Sequence, residues 1–159
     1  MRIQEVTGKQ PRVMAFRGLS HGREGNQALA ALTRSLGGEI FDHSQGQQAQ
    51  SLILKEQPEL LVLIGYSAGA ATVMQLNDKT RPRLSILIAG YPTTLLRLEG
   101  TMQGEYVNYY QQRELDGILR SRGLPAYRPQ GGTPVVVDAD HNSIVTAVTT
   151  DILRRVRSL

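Results

Sequence analysis

The 159-residue chain contains no cysteine and no tryptophan, and it has only two phenylalanines. Without cysteine there are neither disulfide bonds nor thiolate chemistry, which fits a cytoplasmic protein. No apolar run approaches the ~20 residues of a membrane-spanning helix. The segment before Pro11 is polar, whereas a secretory signal needs an apolar stretch. We therefore expect a cytoplasmic protein without a membrane span, folded as one domain over residues 1–159.

Positive charge exceeds negative charge, with 18 Lys and Arg against 14 Asp and Glu and a formal net charge of +4. The cations concentrate at 154–157 and in the pair Arg81 and Arg83. Neither group is interleaved with aromatic residues or accompanied by a nucleic-acid motif. Cations in the last turn of a helix are also favoured by the helix dipole. We predict solvated faces here and expect no nucleic-acid partner, while oligomeric state leaves no mark in the sequence.

Strand-like and helix-like apolar patterns alternate along the chain. Strands are predicted at 12–16, 39–42, 60–64, 84–89, 105–110 and 133–138, and helices at 26–36, 45–57, 70–76, 113–122 and 142–156. Alternation of this kind indicates a parallel sheet with right-handed crossovers. The predicted fold class is α/β, a three-layer αβα sandwich around a mostly parallel sheet of five or six strands.

The sequence Gly65-Tyr66-Ser67-Ala68-Gly69 follows an apolar strand and precedes a helical pattern. The pattern G-x-S-x-G in this context is typical of a nucleophile elbow, in which a strained turn presents the serine hydroxyl at the tip of a sheet. Glycine at both ends lets strand and helix approach each other without a Cβ clash. We predict Ser67 as a nucleophile, the other interpretation being an ordinary glycine-rich turn.

A second catalytic group is predicted on the loop between the last strand and the last helix. His141 lies there, and in a parallel sheet this loop shares one edge with the turn that carries Ser67. A neutral imidazole can take the serine proton near neutral pH, so we predict His141 as general base. A bond to a neighbouring aspartate or a capping role would also explain it. Asp138 and Asp140 are expected to cap the helix beginning at Asn142.

The other histidines fit the site less well. His21 follows the first strand, where it could line the cleft, and His43 follows the second strand, where exposure is expected. A metal site built from His21, His43 and His141 with nearby aspartates would lack a ligand pair at helical or turn spacing. We therefore predict no metal site.

Acyl transfer also needs donors for the oxyanion of the tetrahedral intermediate, where two preorganised amides contribute several kcal/mol. The elbow provides the amide of Ala68, and the loop after the first strand provides the second. We predict Leu19 as that second donor, with Gly18 allowing close approach; a flexible surface turn is the other interpretation. Gly18, Tyr66 and Tyr91 are predicted to line the substrate site, although core packing would explain the tyrosines equally.

These motifs resemble the α/β-hydrolase superfamily, in particular its short, lidless bacterial members that are similar to small lipases or thioesterases. The resemblance covers residues 12–156 and rests on 16–19 as oxyanion loop, 64–70 as elbow and 140–142 as histidine loop. It implies a minimal version of the usual eight-stranded fold that keeps the later strands. It also implies esterase, lipase or thioesterase chemistry through an acyl-enzyme on Ser67, with no metal or organic cofactor.

The third member of the triad has several candidates. Some members of the superfamily carry an aspartate after the strand that follows the nucleophile, where this chain has Tyr91 and therefore no carboxylate. Others carry it after the next strand, which here offers Glu114 and Asp116, or Glu105 if that strand is 95–98. We predict Asp116, although a surface position would also explain each of these acids.

We therefore predict a serine hydrolase that cleaves a small ester or thioester. The alternative is a catalytically degenerate hydrolase-like fold that binds a ligand or another protein, because losing the triad acid lowers turnover by about four orders of magnitude. The absence of an evident cap domain predicts an open, shallow site. Acyl length and leaving group leave no readable trace in the sequence.

Overall fold

The computed structural model describes residues 10–20, 23–90, 102–112 and 132–159. Within them, six parallel strands form one sheet in the order β2-β1-β3-β4-β5-β6. The strands are β1 Arg12–Arg17, β2 Glu39–Asp42, β3 Leu61–Tyr66, β4 Leu84–Ile88, β5 Glu105–Gln111 and β6 Thr133–Val137. The helices are α1 Arg23–Ser35, α2 Gly46–Glu56, α3 Ala68–Thr80 and α4 Ile144–Arg157, with a 3₁₀ turn at His43–Gln45.

Two apolar cores lie on opposite faces of the sheet. One core combines α1 and α4 with alternate strand residues such as Val62 and Ile64. The other combines α2 and α3 with the intervening residues, Leu61 and Leu63 among them. Because successive side chains of a strand point to opposite faces, a strand buried on both sides is apolar throughout. The predicted three-layer αβα sandwich is therefore confirmed, with six strands, all parallel.

The element bounds differ from the sequence predictions at several ends. β3 extends beyond Ile64, because the ladder to β4 continues until the Ser67 amide donates to the Ile88 carbonyl at 2.8 Å. α1 begins at Arg23 rather than Asn26. The predicted helix at 113–122 and the alternative strand at 95–98 lie outside the described residues. Among the helices that the structure does describe, none has the length and apolar character needed to cross a membrane.

The parallel sheet brings the carboxyl ends of its strands to a single edge. The loop after β1, the turn after β3 and the loop after β6 all begin there. Ligands bind outside this edge in open α/β sheets, because the loops and helix amino termini that can contact them converge on it. The residues predicted from three distant parts of the sequence are therefore carried to one place by the topology.

Candidate active site

Ser67 occupies a strained turn between β3 and α3. Its backbone has φ 57° and ψ −118°, a conformation that a residue with a Cβ atom adopts only at a cost of about 1–3 kcal/mol. The turn is fixed from both sides, since the Ser67 amide donates to the Ile88 carbonyl at 2.8 Å and the Ser67 carbonyl accepts from the Ala70 amide at 3.0 Å. This is the geometry that the elbow motif predicts.

The two glycines of the motif are required by close backbone contacts. A Cβ atom on Gly65 would lie 2.3 Å from the Gly69 carbonyl oxygen, and one on Gly69 would lie 2.0 Å from the Phe16 carbonyl oxygen. Neither neighbour can move aside, because both are backbone atoms within the sheet or the first turn of α3. The glycines therefore let α3 begin directly against β1 and β3, which aims Ser67 outward from the sheet edge.

His141 lies next to Ser67, as its place on the loop after β6 predicts. Its Nε2 atom is 3.0 Å from Ser67 Oγ, although 74 positions separate the two residues. Both are nearly enclosed, with 3% of Ser67 and 4% of His141 exposed. In the tautomer that carries its proton on Nδ1, His141 can accept the serine proton at Nε2. The pair can therefore act as nucleophile and base.

Tyr66 contacts the His141 loop through its hydroxyl group and its ring. The Tyr66 hydroxyl donates to the His141 carbonyl at 2.6 Å, and the two rings have their centroids 5.3 Å apart. Tyr66 is completely buried. This corrects the prediction that Tyr66 lines the substrate site: as the last residue of β3 it points to the α1 and α4 face, where it packs in the core and supports the histidine.

Asp140 shapes the other side of the same loop. Its Oδ1 atom accepts hydrogen bonds from the Asn142 amide at 3.1 Å and from the Ser143 amide at 2.8 Å. These bonds satisfy amides ahead of α4, as the capping prediction anticipated, but they belong to a turn and the helix itself begins at Ile144. Asp140 therefore acts locally on the loop backbone that carries His141.

Gln111 is a neighbour of His141 that no sequence motif predicts. It is the last residue of β5, only 2% exposed, and its Oε1 atom lies 3.1 Å from His141 Nδ1. The amide oxygen can accept a proton from Nδ1 and so fix the tautomer that leaves Nε2 free to accept from Ser67. Its position at a strand end was the available signal, but a neutral glutamine does not match the carboxylate expected as the third triad member.

The acids proposed for the third triad position have different outcomes. Asp116 and Glu114 lie outside the described residues, so Asp116 stays a prediction. Glu105 cannot take this role, because it starts β5 at the opposite edge of the sheet, where it forms an ion pair with Arg83 at 3.0 Å.

The loop after β1 runs directly over the nucleophile. A Cβ atom on Gly18 would lie 2.8 Å from Ser67 Cβ, so only glycine permits this approach. Asn26 on α1 fixes the loop: its Oδ1 accepts from the Gly18 amide at 2.9 Å, and its Nδ2 donates to the Leu19 carbonyl at 3.0 Å. Asn26 was predicted only as the start of a helix, and nothing in the local sequence reveals its contact with the loop.

The amides predicted to hold the oxyanion flank Ser67. Ala68 is the first residue of α3, where helix geometry leaves the N–H without an intrahelical partner. Within the described ranges neither the Ala68 nor the Leu19 amide donates a hydrogen bond, whereas the Gly18 amide is already used by Asn26. The amides of Leu19 and Ala68 are thus the candidate donors to the oxyanion, and this role stays a prediction.

The remaining predicted residues lie elsewhere. Tyr91 and His21 fall outside the described residues. His43 begins the 3₁₀ turn, half-buried, with its Nδ1 atom 3.6 Å from Asp42 Oδ2. In the part of the chain that the structure describes, no three histidine, aspartate or glutamate side chains gather closely enough to hold a metal ion.

Arg154 and Arg155, two of the basic residues near the C-terminus, are ion-paired. Arg155 Nε lies 3.0 Å from both the Tyr109 hydroxyl and Asp151 Oδ2, and Arg154 pairs with the same carboxylate. Burial and the hydrogen bond to Asp151 raise the pKa of Tyr109 well above its ordinary value. Burial opposes ionisation of Asp151, but the bonds from Tyr109, Arg154 and Arg155 outweigh it and lower the pKa of Asp151 to about 2. Arg155 is thus part of a packed network, not of the predicted solvated face.

No protein-family model matches the sequence, and no curated protein sequence matches it significantly. The fold does have solved counterparts. A Xanthomonas campestris pv. campestris protein of the alpha/beta hydrolase superfamily is 15% identical with a TM-score of 0.65, over 95% of this chain and all of that one. A metagenome-derived lipolytic enzyme is 10% identical with a TM-score of 0.63, over 96% of this chain and 95% of that one. A lidless α/β serine hydrolase from Xanthomonas campestris is 19% identical with a TM-score of 0.60, over 92% of this chain and 81% of that one. At these sequence identities the similarity shows the fold alone. The chain has the α/β-hydrolase fold.

Proposed function

We propose that this protein is a serine hydrolase that cleaves a small ester or thioester through an acyl-enzyme on Ser67. The observation that carries the proposal is the 3.0 Å contact between Ser67 Oγ and His141 Nε2 at a strained strand-to-helix turn. A serine hydroxyl becomes a nucleophile when a base takes its proton during attack, and this contact supports such a transfer. The solved counterparts described as a serine hydrolase and a lipolytic enzyme support the same reaction class.

Acylation uses both partners in turn. Ser67 Oγ attacks the substrate carbonyl carbon while His141 Nε2 takes the hydroxyl proton, and the carbonyl oxygen becomes an anion. The amides of Leu19 and Ala68 bind that oxyanion. When the intermediate collapses, the bond to the leaving oxygen or sulfur breaks and His141 returns the proton to it.

Deacylation repeats these steps with water as the nucleophile. His141 Nε2 takes a proton from water as its oxygen attacks the acyl carbon, and the intermediate expels Ser67, which recovers the proton from His141. The products are a carboxylic acid and the free enzyme, so no metal or organic cofactor is needed at any step.

The neutral His141 imidazole must carry its proton on Nδ1 at the start of both acylation and deacylation. We assign this task to Gln111, whose oxygen is 3.1 Å from Nδ1, and to Asp116 as the charged third member. A carboxylate stabilises the imidazolium that forms during attack, whereas an amide only orients the ring. The two groups therefore have separable effects on the reaction.

Labelling with a fluorophosphonate probe tests the proposal, because the probe reacts with an activated serine and adds a defined mass. We expect a single adduct on the wild type and none on Ser67→Ala. Ser51→Ala, which removes an exposed hydroxyl on α2 away from the site, is the matched control and should label normally. Failure of the folded wild type to label, or an adduct that persists in Ser67→Ala, would refute it.

A non-catalytic ligand- or protein-binding module is a second candidate function. The observation that favours it is the neutral amide of Gln111 beside His141 Nδ1, since an uncharged partner supports proton transfer weakly. A folded wild type that binds a carboxylic acid or a peptide at this edge without reacting with the probe would favour the binding module.

A further inference from the structure

A cleft lies beside the proposed nucleophile. It is a cleft of about 450 Å³ at the carboxyl ends of β1 and β2 and the start of α1, and its lining includes Gly18, Ser20 and Arg23. Gly18 connects the cleft to the nucleophile, because a Cβ atom on Gly18 would lie 3.4 Å from Ser67 Oγ. A substrate whose carbonyl group reaches Ser67 therefore has this cleft next to it.

Two arginines give the cleft its charge. Arg17 and Arg23 both line it, together with the carboxylate of Asp42. Arg17 Nε is 3.7 Å from Asp42 Oδ1, too far for a hydrogen bond, and the Arg17 side chain is 47% exposed. The other oxygen of Asp42 accepts from the Ser44 amide at 3.3 Å and from the Ser44 hydroxyl at 2.5 Å. The single carboxylate is thus partly engaged with its own turn.

Guanidinium donors consequently outnumber acceptors in this cleft. Arg23 forms no ion pair or side-chain hydrogen bond with any residue in the described ranges, and the only ion pair of Arg17 there is the loose one with Asp42. Planar guanidinium groups bind carboxylate and phosphate groups through paired hydrogen bonds. The carboxamide of Asn26, which also lines the cleft, already binds the loop over Ser67. The two arginines are the charged donors left for a ligand, and the neutral side chains of Ser20 and Gln27 lie beside them.

We propose that this cleft, the arginine cleft (Arg17 and Arg23), binds an anionic group of the substrate that Ser67 attacks. The substrate class is then an ester or thioester that carries a carboxylate or phosphate group on its acyl or leaving part. The inference rests on the proposed function for its reaction, but the binding of the anion rests on the cleft alone.

Matched substrates test the preference. The probes are 4-nitrophenyl monoesters of succinate, glutarate and adipate, each compared with the neutral ester of the same chain length, and the 4-phosphonobutanoate ester compared with valerate. We expect kcat/KM to be larger for the anionic member of at least one pair, by about five- to tenfold, as two exposed charge-assisted contacts provide. The ratio should fall as salt is added. The phosphonate arm shows whether the cleft prefers carboxylate or phosphate.

Variants assign the preference to the arginine cleft. In Arg17→Gln/Arg23→Gln the ratio of anionic to neutral kcat/KM should drop to about one. Lys79→Gln/Arg157→Gln removes the same charge from the ends of α3 and α4, at the opposite edge of the sheet, and should keep the wild-type ratio. No preference for any anionic ester in the wild type, or equal loss of the ratio in both double variants, would overturn the proposal.

A binding measurement separates this proposal from the hydrolase assignment. In Ser67→Ala, glutarate and 4-phosphonobutanoate are titrated while amide chemical shifts are followed. Shifts that saturate and disappear with Arg17→Gln/Arg23→Gln would support the cleft even if no ester is hydrolysed. Hydrolysis of neutral esters without any saturable binding of either anion would overturn the cleft and leave the hydrolase intact.

Discussion

Gln111 and His141 meet because two strands that are distant in the chain end at the same edge of the sheet. Gln111 is the last residue of β5, and His141 follows β6, which is paired with β5. Their 3.1 Å contact is buried, so its effect on the imidazole is little screened by water. An amide in this place orients the ring without supplying charge, which makes Gln111 a positioning residue in the proposed reaction.

Substitution of Gln111 should change the pH dependence of the reaction as well as its rate. Gln111→Glu places a carboxylate beside Nδ1 and favours the imidazolium, so we expect a higher kcat/KM with its acidic limb moved to higher pH. Gln111→Leu removes the acceptor and should lower kcat by about tenfold or more with little change in KM. Initial rates on a neutral 4-nitrophenyl ester over a pH series provide both readouts.

The adjacent residue provides the matched control. Gln112 is exposed, so Gln112→Glu adds the same charge without the contact and should leave the profile in place. If both glutamate variants shift the acidic limb equally, the effect is one of net charge and the role of Gln111 is rejected.

Asp116→Asn should lower kcat more than Gln111→Leu does if Asp116 supplies the negative charge beside the imidazolium.

At the scale of elements, the junction of β3, α3 and β1 depends on the absence of side chains. Gly69→Ala would place a Cβ atom 2.0 Å from the Phe16 carbonyl oxygen and 2.6 Å from the Phe16 carbonyl carbon, so α3 would have to move off the sheet. We expect a loss of roughly 3 kcal/mol or more in the free energy of unfolding, because overpacking against backbone cannot be relieved by a rotamer change. Urea unfolding measures it.

Gly46→Ala is the corresponding control at the start of another helix. Gly46 has φ −59° and ψ −42°, which alanine adopts readily, and the nearest atom to its Cβ would be Thr72 Cγ2 at 3.2 Å. Reduced entropy of the unfolded chain should offset this contact, leaving stability within about 1 kcal/mol of the wild type. Similar losses in Gly46→Ala and Gly69→Ala would contradict the close-approach explanation.

At the scale of the whole molecule, α4 is fastened to the sheet by a polar network. Tyr109 on β5 donates to Asp151 on α4 at 2.5 Å, and Arg155 bonds to both. The two strand and helix residues are 42 positions apart. The network therefore ties the last helix to β5, the strand paired with β6, after which the His141 loop begins.

This network should make stability depend on acid pH. The pKa of Asp151 is about 2 in the folded chain against an ordinary 3.8. A lowered carboxylate pKa adds stability that is complete above the ordinary value and is lost as pH falls through the folded one. Allowing for solvent screening, we expect about 1 kcal/mol above pH 5, with roughly half of it lost at pH 3.

The measurement compares the wild type with Asp151→Asn, which cannot titrate at this position. Urea unfolding at a series of pH values should give a difference in unfolding free energy that is constant above about pH 5 and shrinks toward pH 3. Asp78→Asn, an exposed change on α3, serves as control and should show no comparable trend. A difference for Asp151→Asn that stays constant to pH 3 would count against the network.

Much of this molecule follows from local patterns. The apolar run of β3 and the motif around Ser67 specify a buried strand, a tight turn and a helix within a few neighbouring residues, so they are readable without the rest of the chain. The alternation of elements then implies a parallel sheet, which places His141 at the edge that Ser67 occupies. These steps succeed because each depends on spacing along the chain.

Contacts between distant elements are a different matter. Three contacts at the site leave no mark in the sequence. They are the bond of the Asn26 carboxamide to the loop after β1, the bond of the Tyr66 hydroxyl to the His141 carbonyl, and the contact of the Gln111 amide with the His141 ring. Tyr66 was expected at the substrate surface, yet strand alternation turns it into the core. Neither composition nor a local motif indicates which face of the sheet the side chain at a strand end points to, or which helix packs against it.

The sequence by itself therefore determined the fold class, the elbow and the identity of the histidine that reaches it, because strand periodicity and turn chemistry are local. Only the tertiary structure decided which side chains surround that histidine, which backbone lies within contact of Ser67, and that Arg17 and Arg23 share one cleft beside it. Those arrangements depend on the register and packing of six strands and four helices in the described chain, which fix distances between residues that the linear order leaves free.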